Sequence, residues 1–143
     1  MGYVRITDRP EELFHYTRRD NLASILRDGR IKRMGDAECW FCSMLDDTLE
    51  LMRATVMVEG KPYVKLGGSI GRYPKFQPED YVILRLKPRY QNGEWVRWMQ
   101  EMPPGTPPEL LKAAENFSNL KLGFRGDLKF WPEPEIIEVK ALL

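Results

Sequence analysis

Apolar positions along this 143-residue chain change period several times, and each change marks an element. Leu22, Ile25 and Leu26 recur at i, i+3 and i+4, which places them on one stripe of a helix. Thr17 stands where a hydroxyl can accept from the free amides of a first turn, with Asp20 three positions on as in a capping box. Gly29 follows the last periodic position, where a left-handed residue closes a helix at little cost. The preceding run Leu13-Phe14-His15-Tyr16 reads as a short buried strand. The sole histidine is therefore expected at the end of a strand, pinned from behind by a well-specified helix.

Before this unit, residues 1–9 suit an edge strand around Val4 and Ile6, ended by Pro10. After it comes a polar connection at 30–36, then Cys39-Trp40-Phe41-Cys42, a short strand buried on both faces. Ser43, Asp46 and Asp47 are candidate caps for a second helix over about residues 47–58, with Leu49, Met52 and Val56 inward. Residues 59–62 form a turn and 63–66 a strand. Gly67, Gly68 and Gly71 then mark a loop bordering a site. They match neither the Gly-Lys-Ser/Thr of a phosphate loop nor a G-x-G-x-x-G dinucleotide fingerprint.

Residues 81–86 are a continuous apolar strand closed by Pro88. Asn92-Gly93 is a hairpin signal, so residues 94–99 are expected to pair back on that strand. Thr106 is placed to cap a third helix, with Pro107 at its first position, Glu109 completing a capping box, and Leu110, Leu111, Ala114 and Phe117 inward. Strands at 128–131 and 135–142, around Pro132 and Pro134, finish the chain. Strand, helix, strand, helix, then mostly strands with one late helix is an α+β order rather than a doubly wound one.

Composition narrows the chemistry. A formal net charge of +1 gives no global case for nucleic acid or an anionic surface, though a local basic groove stays open. No apolar run reaches the length of a membrane span and no secretory leader opens the chain, so the expectation is a cytoplasmic protein without a membrane partner. Cys39 and Cys42 have redox or zinc spacing. Yet a redox pair opens a helix, and no second pair completes a zinc site, so two buried inert thiols are expected and no metal. One histidine and no G-x-S-x-G elbow leave a Ser/His/Asp hydrolase without a seat.

His15, Thr17, Asn21, Leu22, Ile25, Leu26 and Gly29 together resemble the opening motif of the ADP-ribosyltransferase superfamily. The form is the H-x-T…N-L…I-L…G of DarT-type DNA-targeting toxins and tRNA 2′-phosphotransferases. The resemblance implies a single domain over 1–143: two small packed antiparallel or mixed sheets with about three helices, and NAD as substrate in the cleft between them. Residues 39–43 resemble the family's I-Y-F-A-x strand, with Trp40 in the tyrosine position. Residues 134–139 resemble its x-E-Y-I-V segment, which makes Glu135 the implied catalytic carboxylate, with Glu133 and Glu138 as competitors.

In the roles so implied, His15 holds the adenosine ribose and Trp40 stacks on nicotinamide. Glu135 holds the 2′-hydroxyl of the nicotinamide ribose and steadies the oxocarbenium-like charge. Tyr16, Thr17 and Ser43 complete the NAD-binding set. Arg18 joins it as a phosphate contact, because a cation in the first helical turn opposes the macrodipole. The implied function is transfer of ADP-ribose to a macromolecular acceptor, nucleic acid or protein, with release of nicotinamide. A non-catalytic relative acting through a protein partner is the alternative, and a 2′-phosphotransferase a third. Each residue also has a plain structural reading: a hydrogen-bonded core histidine, a packed tryptophan, a solvated strand-edge glutamate.

Overall fold

A computed structural model describes residues 2–6, 10–32, 38–99 and 102–143. The chain opens with β1 (Gly2–Ile6) and β2 (Leu13–Arg18), a 3-10 turn over Arg19–Asn21, and α1 (Leu22–Asp28). Next come β3 (Arg30–Ile31), β4 (Glu38–Phe41) and α2 (Leu45–Thr55). A hairpin of β5 (Pro62–Val64) and β6 (Ile70–Arg72) precedes β7 (Tyr81–Leu86) and β8 (Trp95–Met99). The last elements are α3 (Pro108–Asn119), β9 (Leu122–Arg125), β10 (Leu128–Lys129), β11 (Glu135–Glu138) and a 3-10 turn over Val139–Leu142.

The strands form a four-stranded antiparallel sheet β1-β8-β9-β4, a three-stranded antiparallel sheet β11-β7-β2, and two short pairs, β10-β3 and β5-β6. This is a mixed α+β arrangement of small antiparallel sheets. β7 is the middle strand of its sheet and is buried on both faces. Val82, Leu84 and Leu86 join Leu13, Cys39, Phe41, Leu122 and Phe124 in the core between the sheets, closed by Leu22 and Ile25 of α1. Ile83 faces the other way, packing with Phe14 and with Leu49 and Met52 of α2. Strict alternation along β2 thus sends Leu13, His15 and Thr17 to one face and Phe14, Tyr16 and Arg18 to the other.

Several expected local details differ. Thr17 is the fifth residue of β2, not a helix cap: its Oγ1 accepts from Asn21 Nδ2 at 3.2 Å, and the helix begins after the 3-10 turn. Gly29 does close α1 in the left-handed region, φ 64°, with its N–H on the Ile25 carbonyl. Thr106 donates its hydroxyl to the Pro103 carbonyl instead of accepting from helix amides, and Pro108 opens α3. Leu110 and Leu111 of α3 remain exposed, so its expected buried face is not buried at those positions. Residues 94–99 do not pair with β7. Beyond that strand the Arg89 N–H bonds the Lys129 carbonyl at 2.9 Å and Pro88 bridges Phe130, so the chain passes to the other sheet, where β8 pairs with β1 and β9. Gly93 owes its place to packing: at φ 153°, a Cβ there would lie 2.3 Å from the Phe124 ring. Of the polar connection expected at 30–36, Arg30 and Ile31 form β3, and residues 33–36 lie outside the described residues.

Candidate functional site

The two larger sheets meet where β2 approaches β4, and they meet only briefly. One antiparallel bridge joins Phe14 to Cys42, with backbone bonds of 2.8 and 2.9 Å. A ladder continued from there would next join Tyr16 to Trp40. Instead the strands diverge, and the His15 ring spans the gap, its Nδ1 donating to the Trp40 carbonyl at 3.0 Å. A carbonyl can only accept, so Nδ1 carries the proton and Nε2 of the neutral ring is an acceptor. Burial pushes the imidazole pKa below its ordinary value, the bond to Trp40 opposing this more weakly, so the ring is neutral at physiological pH. Phe41 supports it from beside, ring centroids 5.3 Å apart and tilted by 48°.

A cleft of about 310 Å³ opens at this divergence. His15, Tyr16, Trp40, Phe41, Thr55 and Lys121 are among its lining residues. Thr55 donates to the Leu51 carbonyl, so the Tyr16 hydroxyl donates to Thr55 Oγ1, at 3.1 Å, and is held against α2. Burial foremost raises the Tyr16 pKa, keeping the phenol protonated. The Trp40 indole lies across Gly123 of the neighbouring strand, where a Cβ would come within 2.9 Å of the ring. Lys121 Nζ sits 4.7 Å from the centroid of that ring, a cation over its π face. Among the described lining residues the cleft holds two lysines, Lys32 and Lys121, and no carboxylate.

A second hollow of about 130 Å³ also borders His15. Its lining includes His15, Thr17, Asn21, Ser24 and Ile25, together with Asp28 and the cations Arg30 and Lys32. Four positions of the opening motif (His15, Thr17, Asn21 and Ile25) therefore surround one concavity, and His15, Ile31 and Lys32 belong to both.

Other expected site residues fall elsewhere. Ser43 is exposed in the bend before α2 and does not line the cleft. Arg18 extends from the end of β2 on the far face, over the Tyr81 ring at 5.6 Å, and joins neither hollow. Glu135 is in register with Arg85 and, through β7, with Phe14, so it lies on the sheet face opposite His15. There it pairs with Arg85 at 3.5 Å and shares a separate hollow with Glu12 and Glu133. The structure does not bring it to Trp40. Glu138 is in register with Val82 and Thr17, on the His15 face, but its carboxylate is held in an ion pair by Arg19, which lowers its pKa.

Lys121 was not legible in advance because β9 was not: Leu122-Gly123-Phe124 is short, and its central glycine looks like a breaker. The cysteines are free and buried. Cys39 Sγ bonds the Ile31 and Gly126 carbonyls, both at 3.3 Å. The Cys42 thiol is pushed up to about 11, chiefly by burial. Neither is placed to act as a thiolate nucleophile. Among the described residues no group of histidine, cysteine and acidic side chains could hold a metal ion, and no helix is long and apolar enough to cross a membrane. No family model, curated protein or solved structure matches the chain.

Proposed function

We propose that this chain is an ADP-ribosyltransferase-like binding module whose cleft takes the ADP-ribose portion of NAD, or ADP-ribose itself, without breaking the glycosidic bond. The observation that carries this reading is the cleft at the parting of β2 and β4, where a neutral histidine with Nε2 as an acceptor lines the same pocket as Lys121, with no described carboxylate. Nε2 of His15 suits a ribose hydroxyl, which can donate to it. Lys121 suits phosphate oxygens, since a cation beside an anion in a partly dry cleft gains more than in water, whereas Lys32 is already paired with Asp28 at 3.0 Å. Trp40 offers a flat ring, but the cation already over it disfavours a positively charged pyridinium and favours a neutral adenine.

Cleavage of NAD is accelerated by a negative charge beside the carbon that becomes cationic as nicotinamide leaves. Glu135, the carboxylate implied for that task, lies on the other face of its sheet. The test is calorimetry and thermal shift with ADP-ribose, NAD and nicotinamide mononucleotide, with nicotinamide release followed in parallel. ADP-ribose should bind and raise the melting temperature, nicotinamide mononucleotide should not, and NAD should stay intact. Release of nicotinamide that Glu135→Gln abolishes would restore the transferase reading instead.

A further inference from the structure

We infer that the tip of the β5-β6 hairpin seats on an anionic lipid surface, with Val64, Leu66 and Ile70 entering the headgroup layer. Val64 and Ile70 are cross-strand partners on one face of the hairpin, 74% and 72% exposed, and Leu66, in the turn beyond them, is fully exposed. Among the described residues no other large aliphatic is more than 62% exposed. Single exposed aliphatics are ordinary, but three within seven residues make a patch that marks an interaction surface. None of them joins either core cluster. The opposite face of the hairpin is the anchored one. There Tyr63, paired with Gly71, packs on Tyr73 with ring centroids 4.9 Å apart, and a Cβ at Gly71 would come within 2.8 Å of the Tyr63 ring. The turn is closed by the Lys65 N–H on the Ser69 carbonyl and the Gly68 N–H on the Lys65 carbonyl, 2.8 and 2.9 Å, with Gly68 at φ 85°. A well-bonded turn thus presents the aliphatic end to solvent.

Charge selects the partner. Between Glu59 and Glu79 the chain carries Lys61, Lys65, Arg72 and Lys75 and no acidic residue, although its formal net charge is only +1. Lys61, Lys65 and Arg72, on the hairpin itself, make no ion pair among the described residues, whereas Arg19, Arg85 and Arg125 are each held by a glutamate. Arg72 donates to the Gly60 carbonyl at 2.9 Å, a neutral acceptor that leaves its charge uncompensated. The near-neutral whole hides a cationic end, which is why composition pointed away from a membrane partner. Arg72 stands two residues up its strand from Ile70, about 7 Å at the rise of a β-strand, and Lys61 adjoins its partner Pro62. With the aliphatic end at the acyl boundary, those two cations lie at headgroup depth. The stem of Lys65 passes over Gly71, where a Cβ would lie 2.6 Å from its Cε, and carries the ammonium towards the same level. A second copy of the chain would bring like charges together, and three aliphatic side chains fall well short of the roughly 800 Å² per partner of a stable protein interface. A bilayer asks for no complementary shape, and a surface contact needs no spanning helix, of which the described residues have none.

The test is co-sedimentation of the full chain with phosphatidylcholine vesicles and with vesicles of about seven parts phosphatidylcholine to three parts phosphatidylserine, at low and moderate salt. Partition into the anionic vesicles should exceed that into the neutral ones by about tenfold or more and should weaken with salt. Leu66→Ser with Ile70→Ser, and separately Lys61→Glu with Lys65→Glu, should each lower it about tenfold or more, with circular dichroism confirming the fold. Leu110→Ser with Leu111→Ser, the exposed pair on α3, should leave it unchanged. So should His15→Ala, which separates failure here from failure of the ADP-ribose reading. A polarity-sensitive dye on Leu66→Cys should report transfer to an apolar medium when anionic vesicles are added, the two native thiols being buried. No partition at low salt, equal partition into neutral vesicles, loss in the α3 pair in place of the hairpin pair, or a wild-type dimer that Leu66→Ser with Ile70→Ser dissociates would each overturn the assignment.

Discussion

The imidazole of His15 replaces a backbone bond: its Nδ1 donates to the Trp40 carbonyl at 3.0 Å at the point where β2 and β4 stop pairing. One side chain therefore both stitches the two sheets and keeps its remaining nitrogen as an acceptor beside the cleft. His15→Ala should leave the Trp40 carbonyl without its partner and cost about 1–3 kcal/mol, the range for a buried polar group deprived of its bond. Urea unfolding measures this, and unchanged stability would show that the bond does not hold the sheets.

The same ring gives a pH signature. Its folded pKa lies below the ordinary 6.5. Above the unfolded value both states carry a neutral ring, and its contribution to stability is fully present. As pH falls through that value the unfolded chain takes up the proton first, so stability is lost on acidification towards the folded pKa. Melting temperature should drop below about pH 6.5, and in His15→Gln this part of the drop should be absent. An identical profile in wild type and variant would contradict the assignment.

Gly123 lets the Trp40 indole lie flat across β9. In Gly123→Ala the new Cβ would stand 2.9 Å from that ring, so the indole must tilt or the strand must shift. A destabilisation of about 1–3 kcal/mol follows from such overpacking, together with weaker ADP-ribose binding. Tryptophan fluorescence and calorimetry on the variant check both.

Cys42 should resist alkylation. With its thiol pushed up to about 11 and its surface buried, almost no thiolate exists at pH 8. Iodoacetamide at that pH should modify neither Cys39 nor Cys42 in the folded chain and both in guanidinium, as read by mass spectrometry. Rapid modification of Cys42 in the native protein would show that the junction opens.

How much of this was legible in sequence depends on how much each element's pattern depends on its neighbours. Residues 81–86 were read to the residue because a strand buried on both faces must be apolar at nearly every position. Gly29 was read correctly because only local geometry decides it. Thr17 was misplaced because β2 pairs with β7 as far as Arg18, and that ladder overrides the local preference for a helix start. Asn92-Gly93 misled because Gly93 answers to the Phe124 ring rather than to a turn. The candidate site was legible in its near half, His15, Tyr16, Thr17 and Trp40, which lie within thirty residues of one another. Lys121 and the true place of Glu135 follow from which strand lies beside which, and a linear pattern does not carry that.

Calorimetric titration of ADP-ribose into wild type, His15→Ala, Lys121→Met and Glu135→Gln tests the central claim most directly. The account predicts one site per chain, binding lost in His15→Ala, weakened about tenfold or more in Lys121→Met where a charge-assisted bond to phosphate goes, and unchanged in Glu135→Gln. Undetectable binding to wild type, or binding that Glu135→Gln removes and Lys121→Met spares, would contradict it.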